Sequence, residues 1–158
     1  MADEEMNAKG EGLKVKIGEW LPLAQWEEGP EWTTLLVEPA SWPEAAKLLR
    51  FTPGLDFDFL FCLTCIDWKT HFTMVYHFRS TLHGHELVVK SKLDHNQPAI
   101  ETVSRIWRTA EFHEREAYDL FGVNFLHHPD LRRLFLTDEW VGYPLRKDYE
   151  DPVNMIKL

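Results

Sequence analysis

The sequence predicts a two-layer α+β domain: a mixed, largely antiparallel sheet covered by helices on one face, followed by an extended irregular C-terminal tail. Three observations carry this: an amphipathic helical segment near residues 41–50, three successive segments of alternating apolar residues between 57 and 93, and a second helical period after residue 98. At 158 residues the chain has the size of one ordinary domain, which buries roughly two-thirds of the surface its unfolded form exposes. An apolar fraction of 44% and an aromatic fraction of 13%, with Trp at 7 positions and Phe at 10, set it among globular proteins.

Residues 1–17, beginning MADEEMNAKGEG, are polar and acidic without a period, and are expected to form a mobile N-terminal tail ahead of an α+β domain over 18–122. Trp20, Pro22, Trp26 and Pro30 follow in an order that fits no element, and Trp32 to Val37 reads as a first strand. Ser41 stands three residues before Glu44, Pro43 occupies a first turn, and Trp42, Ala45, Ala46 and Leu49 follow at helical spacing, so a capped helix is predicted. Pro53 and Gly54 end it.

Phe57, Phe59 and Phe61 alternate, as do Phe72, Met74, Tyr76 and Phe78, and then Leu87, Val89, Ser91 and Leu93. These predict three strands with one buried face each. The connections at 67–70 and 80–84 are short, which makes the neighbours antiparallel. After Asn96 and Pro98, the apolar residues Ile100, Val103, Ile106, Trp107 and Ala110 predict a helix, or a kinked pair, running to Gly122. From Val123 to the end, Pro129, Gly142, Pro144 and Pro152 are mixed with Phe135, Trp140 and Tyr143 without a sustained period. That tail, 123–158, is expected to be irregular, and its apolar groups need a second surface, either this domain's flank or a partner protein.

A net charge of -9 and a pI near 5.3 repel phosphate backbones and anionic membrane surfaces, so nucleic acid is excluded as a partner. No apolar run is long enough to span a bilayer and the start lacks the features of a signal peptide, so a cytoplasmic location is expected. Cys62 and Cys65 have the spacing of a redox pair. They fall in a strand pattern, where residues three apart face opposite ways, so buried structural thiols are expected. His83 and His85 share a face if extended but bring no third ligand; His127 and His128 diverge.

Glu111, Arg115 and Asp119 recur at four-residue spacing, so both carboxylates can reach one guanidinium on a helix face. A catalytic reading would make Glu114 or Glu116 a general acid or base beside His113, which requires a desolvated pocket. The residues alone favour an ion-pair ladder, and no catalytic, cofactor-binding or metal-binding residue is assigned on this chain.

Read as one string, 112–149 resembles the signature region of the thirty-kilodalton-type subunit family of respiratory complex I. The matching elements are Glu114-Arg115-Glu116, Asp119 to Gly122, His128-Pro129-Asp130-Leu131-Arg132-Arg133, and Pro144-Leu145-Arg146-Lys147-Asp148-Tyr149. A looser likeness extends upstream to about residue 35. Phe135 departs from the aliphatic residue expected, and the chain ends soon after the last motif.

The resemblance implies a non-catalytic peripheral-arm subunit of a proton-translocating NADH-quinone oxidoreductase, on the cytoplasmic side of the inner (plasma) membrane and associated with it only through the complex. The parent assembly would hold FMN, iron-sulfur clusters and quinone, none of them on this chain. Its partners would be other peripheral-arm subunits, especially those next to the terminal clusters and the quinone pocket. Glu114, Arg115, Glu116 and Asp119 would form a partly desolvated network at that seam. Arg132, Arg133, Arg146 and Lys147 would meet acidic groups of the partner, while Trp140, Tyr143, Leu145 and Tyr149 would fill its apolar grooves. An equivalent subunit of a membrane-bound hydrogenase-type complex, a stand-alone enzyme and a thiol redox protein are the alternatives.

Overall fold

The computed structural model describes residues 2–22, 24–27 and 32–151. Its elements are helix α1 (Ala2–Trp20), strands β1 (Gln25–Glu27) and β2 (Thr34–Leu36), helix α2 (Trp42–Phe51), strands β3 (Phe59–Asp67), β4 (His71–Arg79), β5 (Glu86–Asp94) and β6 (Ala99–Glu101), helix α3 (Ala110–Phe121) and strand β7 (Asn124–Leu126). The three long strands arise where the sequence alternates, and the two short connections make β3–β4–β5 antiparallel. The sheet order is β1-β2-β5-β4-β3, with β2 parallel to β5, so the sheet is mixed as predicted.

One face of the sheet carries the core. Trp42, Ala45, Ala46 and Leu49 turn one stripe of α2 onto it, and Trp42 lies 4.6 Å from Tyr76 between ring centroids. Phe78 is then packed against Trp107 at 4.6 Å. Ser41 makes no side-chain cap; a 3-10 turn at Pro39–Ser41 leads into α2 instead, with Pro43 in the first turn.

Three expectations are corrected. The N-terminal segment is the helix α1, and Leu13 and Ile17, four residues apart, place one narrow stripe in the core. Gly10 lets it come close, since a Cβ there would lie 2.7 Å from Thr33 Oγ1. Val15, exposed between Leu13 and Ile17, breaks the helical spacing of a mostly polar run, which is why the segment reads as a tail.

Second, the phase of β3 is inverted: Phe57 is buried, but Leu60, Leu63 and Cys65 face the core while Phe59, Phe61 and Ile66 face outward. A register shift between Leu60 and Cys62 resets the alternation.

Third, the helix expected after Pro98 starts only at Ala110, although it ends at Gly122 as expected. Residues 99–101 pair in parallel with β7, matching Ile100 to Phe125, and Val103, Ile106 and Trp107 reach the core from consecutive turns before α3 begins at Ala110. Two turns in sequence mimic helical spacing, and the partner strand lies beyond α3, where a local pattern does not register it.

Candidate functional site

The chemistry-bearing residues of the C-terminal third converge along α3, where the tail folds back over the helix. Gly122 ends α3 with φ 76°, a left-handed conformation that allows the chain to reverse. Its missing side chain matters as well, because a Cβ would lie 2.6 Å from the ring of Tyr143. Gly122→Ala is therefore expected to destabilise the chain by about 2 kcal/mol, from backbone strain together with ring displacement. Denaturant midpoints check this, and in a Tyr143→Ala background the same substitution should cost less.

Asp119 is the centre of the seam. Its buried carboxylate accepts the backbone N–H groups of Leu134 (3.0 Å), Phe135 (2.7 Å) and Leu136 (3.0 Å), and the Arg133 guanidinium at 2.9 Å. Burial raises its pKa, but the four donors outweigh that and hold it below the usual carboxylate value. Arg133 also donates to the carbonyls of Asp119, Trp140 and Gly142, so one guanidinium ties three stretches of chain together. Arg115 donates to the carbonyls of Arg132 (3.2 Å) and Arg133 (2.9 Å) and stands 4.0 Å from Asp130.

Glu114 occupies a separate buried site one turn earlier. It is 0% exposed, accepts the Val103 N–H at 2.8 Å and the Thr102 hydroxyl, and lies 3.6 Å from His128 Nε2. His128 Nε2 lies 3.1 Å from the Glu111 carbonyl while Nδ1 accepts the Asp130 N–H (3.0 Å), which orients the ring and anchors the Pro129 turn. Burial, with Glu101 nearby, pushes the Glu114 carboxyl up to about 7 against the two donors.

The end of the tail closes a third site beside the β3–β4 turn. Arg146 lies 5.1 Å over the Phe72 ring, donates to His95 Nδ1 and its carbonyl, and forms a bidentate pair with Asp148. His95 stacks on Phe72 at 4.5 Å and bonds Asp67, which also accepts the Lys147 N–H at 2.7 Å. Burial raises the Asp67 pKa, but the Lys147 and Lys69 N–H groups and His95 bring it below the ordinary value. Asp67, His95 and Asp148 lie within metal-binding range of one another, yet Arg146 already supplies the positive charge there.

Several of the residues expected at a seam also find groups within the chain. Arg132 pairs with Asp130, Arg133 with Asp119 and Arg146 with Asp148, and Lys147 Nζ lies 5.9 Å over Trp68. The physical reason is the reversal at Gly122, which brings the tail within reach of α3. Tyr143 packs on Gly122 and Tyr149 on Gly142, inside the chain. Arg115 reaches tail carbonyls in place of a Glu111–Asp119 ladder, and Glu116 is exposed, outside the network. Trp140 is half-buried and Pro144 lies at the turn between Tyr143 and Leu145, whose N–H bonds the Leu120 carbonyl. Residues 152–158 of the expected tail lie outside the described residues.

Thr102, His95, Asp67 and Phe72 belong to these sites and carry no functional signal in the sequence. His83 pairs with Asp56 and His85 with the Leu55 carbonyl. The Cys65 thiol is pushed up to about 12 by burial and by Asp67, and burial and Glu116 raise Cys62, so neither is activated as a thiolate.

The outer side of the tail has a different character. Phe135, Val141 and Leu145 are 66%, 85% and 52% exposed. The arrangement can hold a rigid, apolar-studded surface; Glu114 is sealed from any substrate.

Residues 35–153 match the family described as the 30 kDa subunit of respiratory-chain NADH dehydrogenase. An NADH-quinone oxidoreductase subunit of Chloroherpeton thalassium is 43% identical over 141 residues, covering 87% of this chain and 58% of that protein. A longer NADH-quinone oxidoreductase chain of Phocaeicola vulgatus, which bears the names of two subunits, is 44% identical over 114 residues, covering 71% of this chain and 22% of that protein. The chain thus spans somewhat over half of the first relative and about a fifth of the second. Among solved structures, a chain of an archaeal membrane-bound sulfane sulfur reductase superposes with a TM-score of 0.77 at 26% identity, covering 90% of this chain and 86% of that one. A trypsin-resistant fragment of Nqo5 superposes with a TM-score of 0.61 at 27% identity, covering 81% and 95%.

Proposed function

The chain belongs to the family of the 30 kDa subunit of respiratory-chain NADH dehydrogenase, and from that premise we propose that it is a peripheral-arm subunit of a proton-translocating NADH-quinone oxidoreductase. It acts by contact: it carries no flavin, iron-sulfur cluster or quinone, and it seats against the neighbours that do. FMN, the clusters and quinone belong to the parent complex, and the chain lies on the cytoplasmic side of the membrane through that complex alone. No helix among the described residues is long and apolar enough to cross a membrane.

The observation that carries this reading is the tail. Asp119, Arg133 and Arg146 fix it as a shaped surface before any partner arrives, while Phe135, Val141 and Leu145 remain turned outward. Such preorganisation lowers the ordering cost of association. Exposed apolar groups on rigid backbone have the character of an interface core. In the Phocaeicola vulgatus relative the matching region shares one chain with a second, larger portion. That covalent linkage supports the counterpart of this portion as the neighbour on which the tail lies.

Purification in mild detergent with this chain as bait tests the proposal: flavin and iron-sulfur absorbance should co-elute and the eluate should oxidise NADH. Iron-sulfur absorbance without NADH oxidation would instead assign the chain to a reductase of the sulfane sulfur or hydrogenase kind. Truncation after Gly122 is expected to abolish co-elution, and a truncated chain that still assembles into an active complex would remove the tail from the reading.

A further inference from the structure

At one corner of the sheet, lysines from three segments surround an exposed tryptophan. The buried Asp67 carboxylate accepts the Lys69 N–H at 2.6 Å through Oδ1 and the Lys147 N–H at 2.7 Å through Oδ2, so it pins the β3–β4 turn beside the end of the tail. Both side chains are exposed, and Lys147 Nζ lies over the Trp68 ring. Lys69 is held at φ 69°, a left-handed conformation that a lysine rarely adopts. Lys92 comes from β5: Ile66, Thr73 and Lys92 form one row across β3, β4 and β5 on the face of the sheet away from the core. His71 stacks on Trp68 at 6.3 Å, and burial, then the charge of Lys92, lowers its pKa. Lys69, Lys92 and Lys147 form no ion pair among the described residues.

A groove of about 850 Å³ reaches this corner and is lined there by Leu36, Ile66, Trp68, His71 and Lys92. Leu36, Ile66 and Trp68 are each more than a third exposed. The groove's carboxylates stand elsewhere: Glu27 on β1 is held by Lys90 at 2.7 Å, and Glu38 and Glu44 belong to the segment after β2 and to α2.

We propose that this corner is a second docking seam and receives an acidic segment of a partner subunit, its Asp or Glu side chains on Lys69, Lys92 and Lys147 and an apolar side chain between them on Trp68 and Ile66. Charge complementarity selects the class, because a chain of net charge -9 here presents cations without counter-ions. An anionic membrane is disfavoured: three lysines fall short of the roughly four to eight of a lipid-binding cluster, and the rest of the chain repels that surface. Asp67 already fixes the backbones of two of the three lysines, so little ordering accompanies docking. Arg132, Arg133 and Arg146 have carboxylates within the chain, so the partner's acidic contact falls at this corner and not along α3.

The inference rests on the docking reading above, and the test separates the two. In the assembled parent complex a zero-length carbodiimide, which joins an amine to a carboxylate in contact with it, should link Lys69, Lys92 or Lys147 of the wild-type chain to an Asp or Glu of another subunit, as read by mass spectrometry. Links only to this chain's own carboxylates, Glu28 and Glu31 included, or only to a second copy, would overturn the proposal and leave the docking reading standing. No link at any of the three lysines, the result expected of a lipid phosphate, would do the same. Absence of the wild-type chain from the complex would remove both. The full-length variant Lys69→Gln/Lys92→Gln/Lys147→Gln should melt like the wild type and be retained about tenfold less after a moderate-salt wash, whereas Lys69→Arg/Lys92→Arg/Lys147→Arg should be retained like the wild type. Equal retention of the Gln variant and the wild type across a salt series would overturn the assignment; if the Gln variant melts lower, the cross-link on the wild-type chain decides.

Discussion

Asp119→Ala is expected to detach the C-terminal third from α3 and to cost about 3–5 kcal/mol, the magnitude typical of removing one partner from a buried charge pair. Three backbone N–H groups, of Leu134, Phe135 and Leu136, lose their acceptor together. Arg133, whose side chain is only 14% exposed, keeps its charge without a counter-ion. The loss propagates because Arg133 also holds the carbonyls of Trp140 and Gly142. Urea denaturation reads the stability, and limited proteolysis between 130 and 150 reads the local release. Asp119→Asn should fall between wild type and Ala, since the amide oxygen can still accept while the charge is gone. If Asp119→Ala leaves both the midpoint and the cleavage rate unchanged, the tail is held by something other than this carboxylate.

Glu114 should give the chain an unusual pH dependence. Its pKa is raised by burial from 4.5 to about 7, so the folded state binds a proton that the unfolded state has already released between those values. Stability from this group is complete below about 4.5, falls as pH rises towards 7, and is level above that. The sign is opposite to that of Asp119 and Asp67, whose lowered values stabilise the fold above about 3.8 and fail as acid is added. Over the whole window the Glu114 effect is about 3 kcal/mol at 1.36 kcal/mol per pKa unit.

Glu114→Gln keeps the acceptor for the Val103 N–H and offers an amide donor to Thr102, as the neutral acid does. The variant should match wild type at pH 5 and exceed it at pH 8. The groups facing this carboxyl are Glu101, His128 and Tyr76, and none is an ion-paired cation at hydrogen-bond distance. Parallel urea midpoints for the two proteins from pH 5 to 8 would show that Glu114 is not the titrating group.

Much of this architecture is legible in the sequence because its causes are local. The alternation over 72–78 and 87–93 and the stripe Trp42, Ala45, Ala46 and Leu49 each follow from the geometry of one element burying one face, and the structure keeps all three. The misread elements share another property. Leu13 and Ile17 are buried by strands and helices far along the chain, the Leu60–Cys62 bulge is set by pairing with β4, and residues 99–101 find their partner at 124–126, beyond an intervening helix. The same holds within the site. Glu114, Arg115 and Asp119 stand out by motif, but their partners Thr102, His128, Arg133 and the 134–136 amides are distributed over three separate segments.

Motif order and hydrophobic period are one-dimensional properties, and they suffice for the family, the α+β layers, the helix that carries the seam and the identity of nearly every charged group in it. Which group neutralises which is settled in three dimensions. Gly122 reverses the chain in a left-handed turn, the tail comes within 2.7 Å of α3, and its arginines are held by the chain's own carboxylates and carbonyls, leaving apolar groups outward. Electrostatic pairing depends on distance in space, which spacing along a chain does not encode.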